Sequence, residues 1–390
     1  MNHADFSPNA PSQLLPAHQD IHNYLAFIPN PLPPELLLDT ALFSAPSDAD
    51  RALEELAGLG RTMPNPDLLI GPFLRREAVL SSRIEGTQTE IADLYAYEAG
   101  QAYLPGMKPA PPQEDIQEVL NYIEALRYGL SRLSNLPVSL RLLRELHERL
   151  MAGVRGHQAT PGEFRHYQNW IGRHGDGIHA ARFVPPPVVE MDAALNQMET
   201  YIHSAGRYPP LIRLGLIHYQ FEAIHPFLDG NGRIGRLLIS LLLHEWALLP
   251  LPLLYLSAYF ERQRHDYYDL LLAVSQRGTW NEWLIFFLNG VAEQSRDATK
   301  RVKQLQDIQQ TWRQTLTIAR SSSLGLQLAD SLFENPVLTI PQAQRQLGVR
   351  SYHTAQRHVE MLVDAGVLRV WQGEEQTRMF IADAIFEVIT

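Results

Sequence analysis

His225-Pro226-Phe227-Leu228-Asp229-Gly230-Asn231-Gly232-Arg233-Ile234-Gly235-Arg236 separates two apolar stretches, Leu214 to Ile224 before it and Leu237 to His244 after it. Both flanks have helical spacing, so the twelve residues read as a loop braced between two buried helices. Gly230-Asn231-Gly232 lets the backbone approach a ligand closely and aim successive N–H groups at one point. The start of the following helix adds partial positive charge, and Arg233 and Arg236 add full charges. With Ile234 and Gly235 completing the run, the segment suits a polyphosphate. Asp229 is the odd member, because a carboxylate beside phosphates is repulsive unless a Mg²⁺ lies between them. His225, four residues earlier, is placed to act as a general base. Residue chemistry alone therefore gives a Mg²⁺–nucleotide site with a histidine base.

Working outward, the chain is mainly α. Residues 1–40 are proline-rich and begin as a polar, irregular segment. Helical spacing then starts at Glu35 and continues through Leu59. Gly71-Pro72 separates this from a segment running from Phe73 to about Tyr97, and Pro105 to Pro112 is a linker. Periodicity resumes at Ile116 to Leu126 and Leu140 to Leu150. Gly153 to Pro187, with six glycines and Pro185-Pro186-Pro187, reads as loops plus one β-hairpin built from Gln168–Ile171 and Ala181–Val184. Long helices return from Glu190 to Ser204, Ile212 to Ile224, Gly235 to Trp246, His265 to Val274 and Asn281 to about Ile318. Beyond Arg320, three helices (Leu324–Phe333, Ile340–Leu347, Tyr352–Asp364) precede two strands around a turn containing Gly373, a winged helix-turn-helix order.

Composition narrows the function. The 390 residues leave room for two or three domains, and 45% hydrophobic with 19% charged residues is ordinary for a globular chain. No cysteine is present, which excludes disulfides, cysteine zinc sites and thiol catalysis. Net charge is −10, against broad nucleic-acid or anionic-membrane binding. Lysine occurs only at positions 108, 300 and 303, and neither G-x-x-x-x-G-K nor V-A-I-K is present, so a nucleotide is held by another route. The first residues lack the basic and apolar regions of a signal peptide, and Ser240, His244, Glu245, Pro250 and Pro252 interrupt the most apolar stretch. A cytoplasmic chain without membrane contact is expected. His147-Glu148 and His244-Glu245 lack the second histidine of H-E-x-x-H, and His203 and His218 read as core or surface residues.

At every specified position His225 to Arg236 resembles HxFx(D/E)GNGRxxR, the signature of Fic-domain proteins. The resemblance implies a helical core over residues 115–295 with a small hairpin flap, and transfer of AMP from ATP to a protein hydroxyl. It implies that His225 deprotonates the attacking Ser, Thr or Tyr, that Asp229 holds Mg²⁺ on the α- and β-phosphates, and that Gly230 to Gly232 bind phosphates. Arg233 and Arg236 would orient the β- and γ-phosphates. Ser81-Ser82-Arg83-Ile84-Glu85-Gly86 resembles the family's (S/T)xxxE(G/N) inhibitory motif. On a helix Ser81 and Glu85 lie one turn apart on one face. The resemblance implies that Glu85 pairs with Arg236 and blocks the productive γ-phosphate pose, within an N-terminal helical region of residues 1–114.

Phe164 to Pro187 resembles the flap that holds a target segment by strand pairing. Tyr267-Tyr268 resembles the aromatic wall of the adenine pocket, with Tyr268 the candidate contact. Residues 296–319 then read as a connecting helix and 320–390 as the winged helix. From Arg320 onward six arginines face eight acidic residues, thin for phosphate-backbone binding. A protein-interaction or dimer role is expected for this part, and a homodimer for the chain. The alternatives are a DNA-binding regulator with a sensor core, removal of AMP from a modified target, and transfer from another nucleotide. Self-modification is expected; the target protein is not named by the sequence.

Overall fold

The computed structural model describes residues 1–19, 22–37, 39–62, 66–100, 111–154, 160–172, 175, 177–319, 321–372 and 378–390. In chain order the elements are β1 (Ser12–Gln19), β2 (His22–Pro29), α1 (Thr40–Arg61), α2 (Pro66–Ile84), α3 (Ile91–Glu98), α4 (Gln113–Arg132) and α5 (Leu140–Leu150). They continue with α6 (Val188–His203), α7 (Pro210–Ile224), α8 (Asn231–Glu245), α9 (Ser257–Arg262), α10 (Arg264–Arg277) and α11 (Trp280–Ile318). The last are α12 (Ser323–Ser331), β3 (Val337–Thr339), α13 (Ile340–Leu347), α14 (Tyr352–Asp364), β4 (Arg369–Gln372), β5 (Arg378–Ile381) and α15 (Asp383–Ile389). They form two compact units. One contains Met1–Glu54, Leu120–Leu249 and Leu256–Ser295; the other contains Glu55–Val119, Pro250–Tyr255 and Arg296–Thr390. Residues 1–114, a single region in the sequence reading, are shared between them.

In the first unit α7 is the central post. Thirteen of its fifteen residues are buried, as expected of a helix that is apolar on all sides. Gly215 makes this possible: a Cβ there would meet Leu284 and Phe287 of α11 at 3.0 and 3.2 Å. The Trp283 indole N–H donates to the Gly215 carbonyl at 3.0 Å, satisfying the indole at the same contact.

Residues 12–29 depart from the irregular segment expected. They form an antiparallel hairpin in register from Ser12↔Pro29 to Gln19↔His22. Prolines 11 and 16 hid the strand signal, yet a two-stranded sheet has only edges, where proline is tolerated. Ala26 and Phe27 are buried, and the Phe27 N–H donates to the Val184 carbonyl at 2.9 Å. The expected hairpin between 168 and 184 is smaller than its sequence suggested. Among the described residues it is a single antiparallel bridge, Ile171↔Phe183, closed by Ile171 N–H to Phe183 O at 2.8 Å. Part of its connection, residues 173–174 and 176, lies outside the described residues.

In the second unit α2 runs straight through Gly71-Pro72, and the break comes later, at Glu85–Glu90. Two devices set it there. Gly86 adopts φ +111°, and the Thr87 N–H turns back to the Ser82 carbonyl at 3.3 Å. The Asp93 carboxylate then accepts the Glu90 N–H at 2.7 Å, which starts α3. The C-terminal residues place α12, α13 and α14 beside a sheet of order β3-β5-β4. The turn containing Gly373 falls outside the described residues. β3 has three residues, too few for alternation to show, and α15 follows β5 after one residue.

This C-terminal part is fastened to α2 and α3. Arg75, nearly buried, pairs with Glu98 at 3.2 Å, and the same carboxylate accepts the Asn335 amide at 3.3 Å. The Gln342 amide donates to the Glu98 carbonyl at 2.9 Å, and the Tyr95 ring lies 6.1 Å from Phe386. Glu98→Ala would strand the guanidinium, a loss of about 3 kcal/mol for a broken buried pair. Urea unfolding should show that loss, whereas a shift of under about 0.5 kcal/mol would mean the pair is a surface contact.

Candidate functional site

The loop from His225 to Gly230 is set by its two helices. α7 ends at Ile224, and His225 caps it in the left-handed region, φ 50° and ψ 60°, a conformation that costs a non-glycine residue about 1 kcal/mol. Gly230, φ +78°, begins α8. A Cβ on Gly230 would add a 3.1 Å contact with Met151 Sδ to the strain of that φ. Between them the Asn231 side chain acts as a clamp. Its Oδ1 accepts the Phe227 N–H and its Nδ2 donates to the Phe227 carbonyl, each at 2.8 Å. The arch is thereby fixed by side-chain bonds of backbone type.

His225 Nδ1 lies 3.3 Å from the Glu222 carbonyl, which can only accept, so Nδ1 carries the proton. Nε2 is then the basic nitrogen. Asp229 is over half exposed; its Oδ1 accepts the Gly230 N–H at 2.6 Å and lies 3.7 Å from Arg233. Asn231, Arg233 and Arg236 are buried. The N–H groups of Asn231 and Gly232 belong to the first turn of α8 and have no intrahelical acceptor, the setting in which helix starts bind anions. The structure thus brings His225, Asp229 and Gly230 to Arg236 together on one loop and one helix start. Tyr268, on α10 of the same unit, is half-buried, and Tyr267 beside it is core.

Ser81, Glu85 and Gly86 belong to the second unit. Ser81 is fully buried within α2, while Glu85 is exposed and sits one residue beyond the helix end, its N–H bonded to the Ser82 carbonyl at 3.0 Å. The uninterrupted helical face expected for Ser81 and Glu85 therefore ends one residue early.

Two histidines set aside by the sequence reading support this site. The His147 ring stacks on Phe227 with centroids 3.9 Å apart. Its Nδ1 accepts the Gly162 N–H at 3.0 Å, so Nε2 carries the proton and donates to the Asp229 carbonyl at 3.1 Å. Burial pushes its pKa down to about 4. His218 donates from Nδ1 to the Gly235 carbonyl, 3.2 Å, and accepts the Tyr267 hydroxyl at 2.8 Å. Burial, with the Arg236 charge second, pushes it down to about 3. Both need the neutral ring. Only helix period marked these positions in the sequence, and that period cannot separate a ring that orders a loop from any other core side chain.

A histidine neutral in the fold and protonated in the unfolded chain makes stability fall with pH. The fall begins below the ordinary value near 6.5 and ends for His147 near 4. His147→Gln should flatten the decline measured by urea unfolding between pH 7 and 4.5. An unchanged slope would show that His147 protonates freely in the fold.

The Fic/DOC family N-terminal pattern matches residues 43–131 and the Fic/DOC family pattern residues 137–243. Relatives called protein adenylyltransferase Fic include those of Aedes aegypti, 29% identical over 167 residues, and Drosophila grimshawi, 30% identical over 161. These alignments cover 42% and 40% of this chain, and the chain spans about 30% of the length of either relative. Among solved structures, a Fic family protein from Desulfovibrio desulfuricans aligns with a TM-score of 0.57 at 19% identity, covering 90% of this chain and 98% of that one. Fic-1 of C. elegans aligns at 0.52 and 20%, covering 69% and 75%. At such identities the likeness is one of fold.

Proposed function

Because the chain carries the N-terminal domain and the Fic domain of the Fic/DOC family, we propose that it is a protein adenylyltransferase. It moves AMP from ATP to Ser, Thr or Tyr hydroxyls of target proteins and of itself. One observation carries this reading: a base with a defined tautomer, an exposed carboxylate and an anion-binding helix start share a single braced loop. In the step, His225 Nε2 takes the hydroxyl proton, the oxygen bonds to the α-phosphorus, and the bond to diphosphate breaks. Asn231 and Gly232 N–H groups with Arg233 and Arg236 hold the phosphates.

The donor set fits Mg²⁺. Among the described residues no cluster of three or more His, Cys, Asp or Glu could cage a metal. A single half-exposed carboxylate suits an ion that keeps its waters and takes other ligands from phosphates. Asp229 would hold it, and the ion would neutralise charge on the α- and β-phosphates. Tyr268 would face the adenine.

Glu85 restrains the reaction in this reading by competing with the γ-phosphate for Arg236. Its position supports that role, since an exposed carboxylate just past a helix end can be withdrawn by a small change at the turn. Residues 320–390, read as a winged helix, have a net charge of −2, which supports a protein partner or a second copy of the chain over DNA. A cytoplasmic setting belongs to this reading; no helix among the described residues is long and apolar enough to cross a membrane.

Glu85→Gly should raise transfer roughly tenfold or more, the scale of one lost charge-assisted pair. Arg236→Ala breaks the same pair yet should not activate, because the phosphate loses its partner too. Equal or lower transfer by a folded Glu85→Gly protein would end the inhibitory reading. The activity itself is tested by incubating the protein and a lysate with labelled ATP, CTP, GTP and UTP under Mg²⁺. Label from the α-phosphate of ATP on protein is expected, and preference for another nucleotide would replace the adenylyl assignment.

A further inference from the structure

Arg165 is 1% exposed, and every hydrogen bond its guanidinium makes among the described residues goes to a backbone carbonyl. Nε donates to the His225 carbonyl at 3.0 Å, one terminal nitrogen to Pro186 at 2.5 Å and the other to Tyr167 at 3.4 Å. Its own N–H donates to the Pro226 carbonyl at 2.9 Å. No carboxylate lies within ion-pair distance among the described residues. Burial lowers its pKa to about 10, which still leaves it charged at neutral pH. A buried cation without a counter-ion is costly, so its position needs a reason.

The bonds supply one. His225 is in the left-handed region, so its carbonyl leaves the line of the α7 hydrogen bonds and needs another donor. Arg165 provides that donor. The same planar fork reaches Pro186, at the other end of the stretch that carries the Ile171–Phe183 bridge. Asn169 adds a second link, its amide donating to the His225 carbonyl at 3.3 Å and the Phe227 carbonyl at 2.8 Å. Both segments in which the bridge is rooted are therefore bonded to the peptide of the base.

We propose that Arg165, assisted by Asn169, is a positioning residue for His225, joining the base to residues 165–171 and 183–187 so that a hydroxyl presented on those segments meets Nε2 at a fixed place. The proposal rests on the adenylyl-transfer reading for its catalytic consequence but not for its structural one. A lysine at 165 keeps the charge and can serve one carbonyl, not two segments together.

The test compares the full-length wild type with Arg165→Lys, Arg165→Gln and Asn169→Asp. Labelled AMP transfer should show kcat down about a hundredfold in both Arg165 variants, the scale of a misplacement of about 1 Å. KM for Mg–ATP should stay within about threefold, because phosphate contacts lie on α8. A purely structural role would move kcat and KM together with the folded fraction. Amide hydrogen exchange should speed up at His225, Phe227 and Leu228 and at Phe183 and Val184 at once while α7 stays protected, the intervening prolines having no amide hydrogen. Asn169→Asp, which keeps the shape and loses the donor, should give a smaller loss of the same pattern and decides the matter if the Arg165 variants do not fold. Wild-type kcat in Arg165→Lys, or unchanged exchange at 225–228, overturns the proposal. Should the wild type transfer no AMP at all, the adenylyl reading fails, and the exchange measurement alone still decides whether Arg165 joins the segments.

Discussion

Replacing His225 with alanine is expected to lower AMP transfer by about a thousandfold or more, with Mg–ATP binding changed no more than a few-fold. The proposed role is proton abstraction, and general bases contribute roughly 10²–10⁴ in rate. In the proposed pose the phosphates are held by Asn231, Gly232, Arg233 and Arg236, which the substitution leaves in place. The fold should hold as well, because the carbonyl that Arg165 and Asn169 grip is backbone and survives in alanine. Calorimetric titration of nucleotide beside a labelled-transfer assay separates the two effects. A variant that keeps most of the transfer rate would show that another group takes the proton, and one that loses nucleotide binding would show that His225 contacts phosphate.

Asp229→Ala is the second large effect, a drop in transfer on the order of a hundredfold together with loss of the normal Mg²⁺ titration. Its carboxylate is exposed enough to reach a bound ion, while its carbonyl is held from behind by His147. Alanine keeps that carbonyl bond, so the backbone arch should persist and the change should fall on the metal. Transfer measured across a Mg²⁺ series reads this directly. If Asp229→Ala retained the wild-type titration, the ion would be held elsewhere and the loop would be an anion site alone.

Much of this was legible in the sequence, for physical reasons that differ by element. The His225–Arg236 run was readable because its candidate groups are contiguous: histidine, carboxylate, glycines and arginines occupy one loop and the helix start that follows it. α11 and α14 were readable from their 3.6-residue period, and α7 from a long apolar run. The hairpin at Ser12–Pro29 was not, because its prolines mimic a loop and its partner, Val184, lies far along the chain. The boundary expected at Gly71-Pro72 was misplaced because that pair looks like a break, whereas α2 runs through it and the break inside the expected Phe73–Tyr97 segment is made by Gly86 and Asp93. His147, Asn169 and Arg165 act on backbone carbonyls far away in sequence, and such bonds leave no local pattern to read. Glu98 escaped notice for the same reason, since Arg75, Asn335 and Gln342 all reach it from outside its own helix.

Transfer of AMP at the His225 loop, restrained by Glu85, is the proposal on which the other roles depend. The most direct measurement is the intact mass of full-length Glu85→Gly, and of Glu85→Gly with His225→Ala, after equal incubation with Mg–ATP. The first protein should gain adenylyl groups at a rate above wild type, and the second should gain none. Adenylyl addition by both proteins, or by neither while wild type is modified, would contradict that proposal.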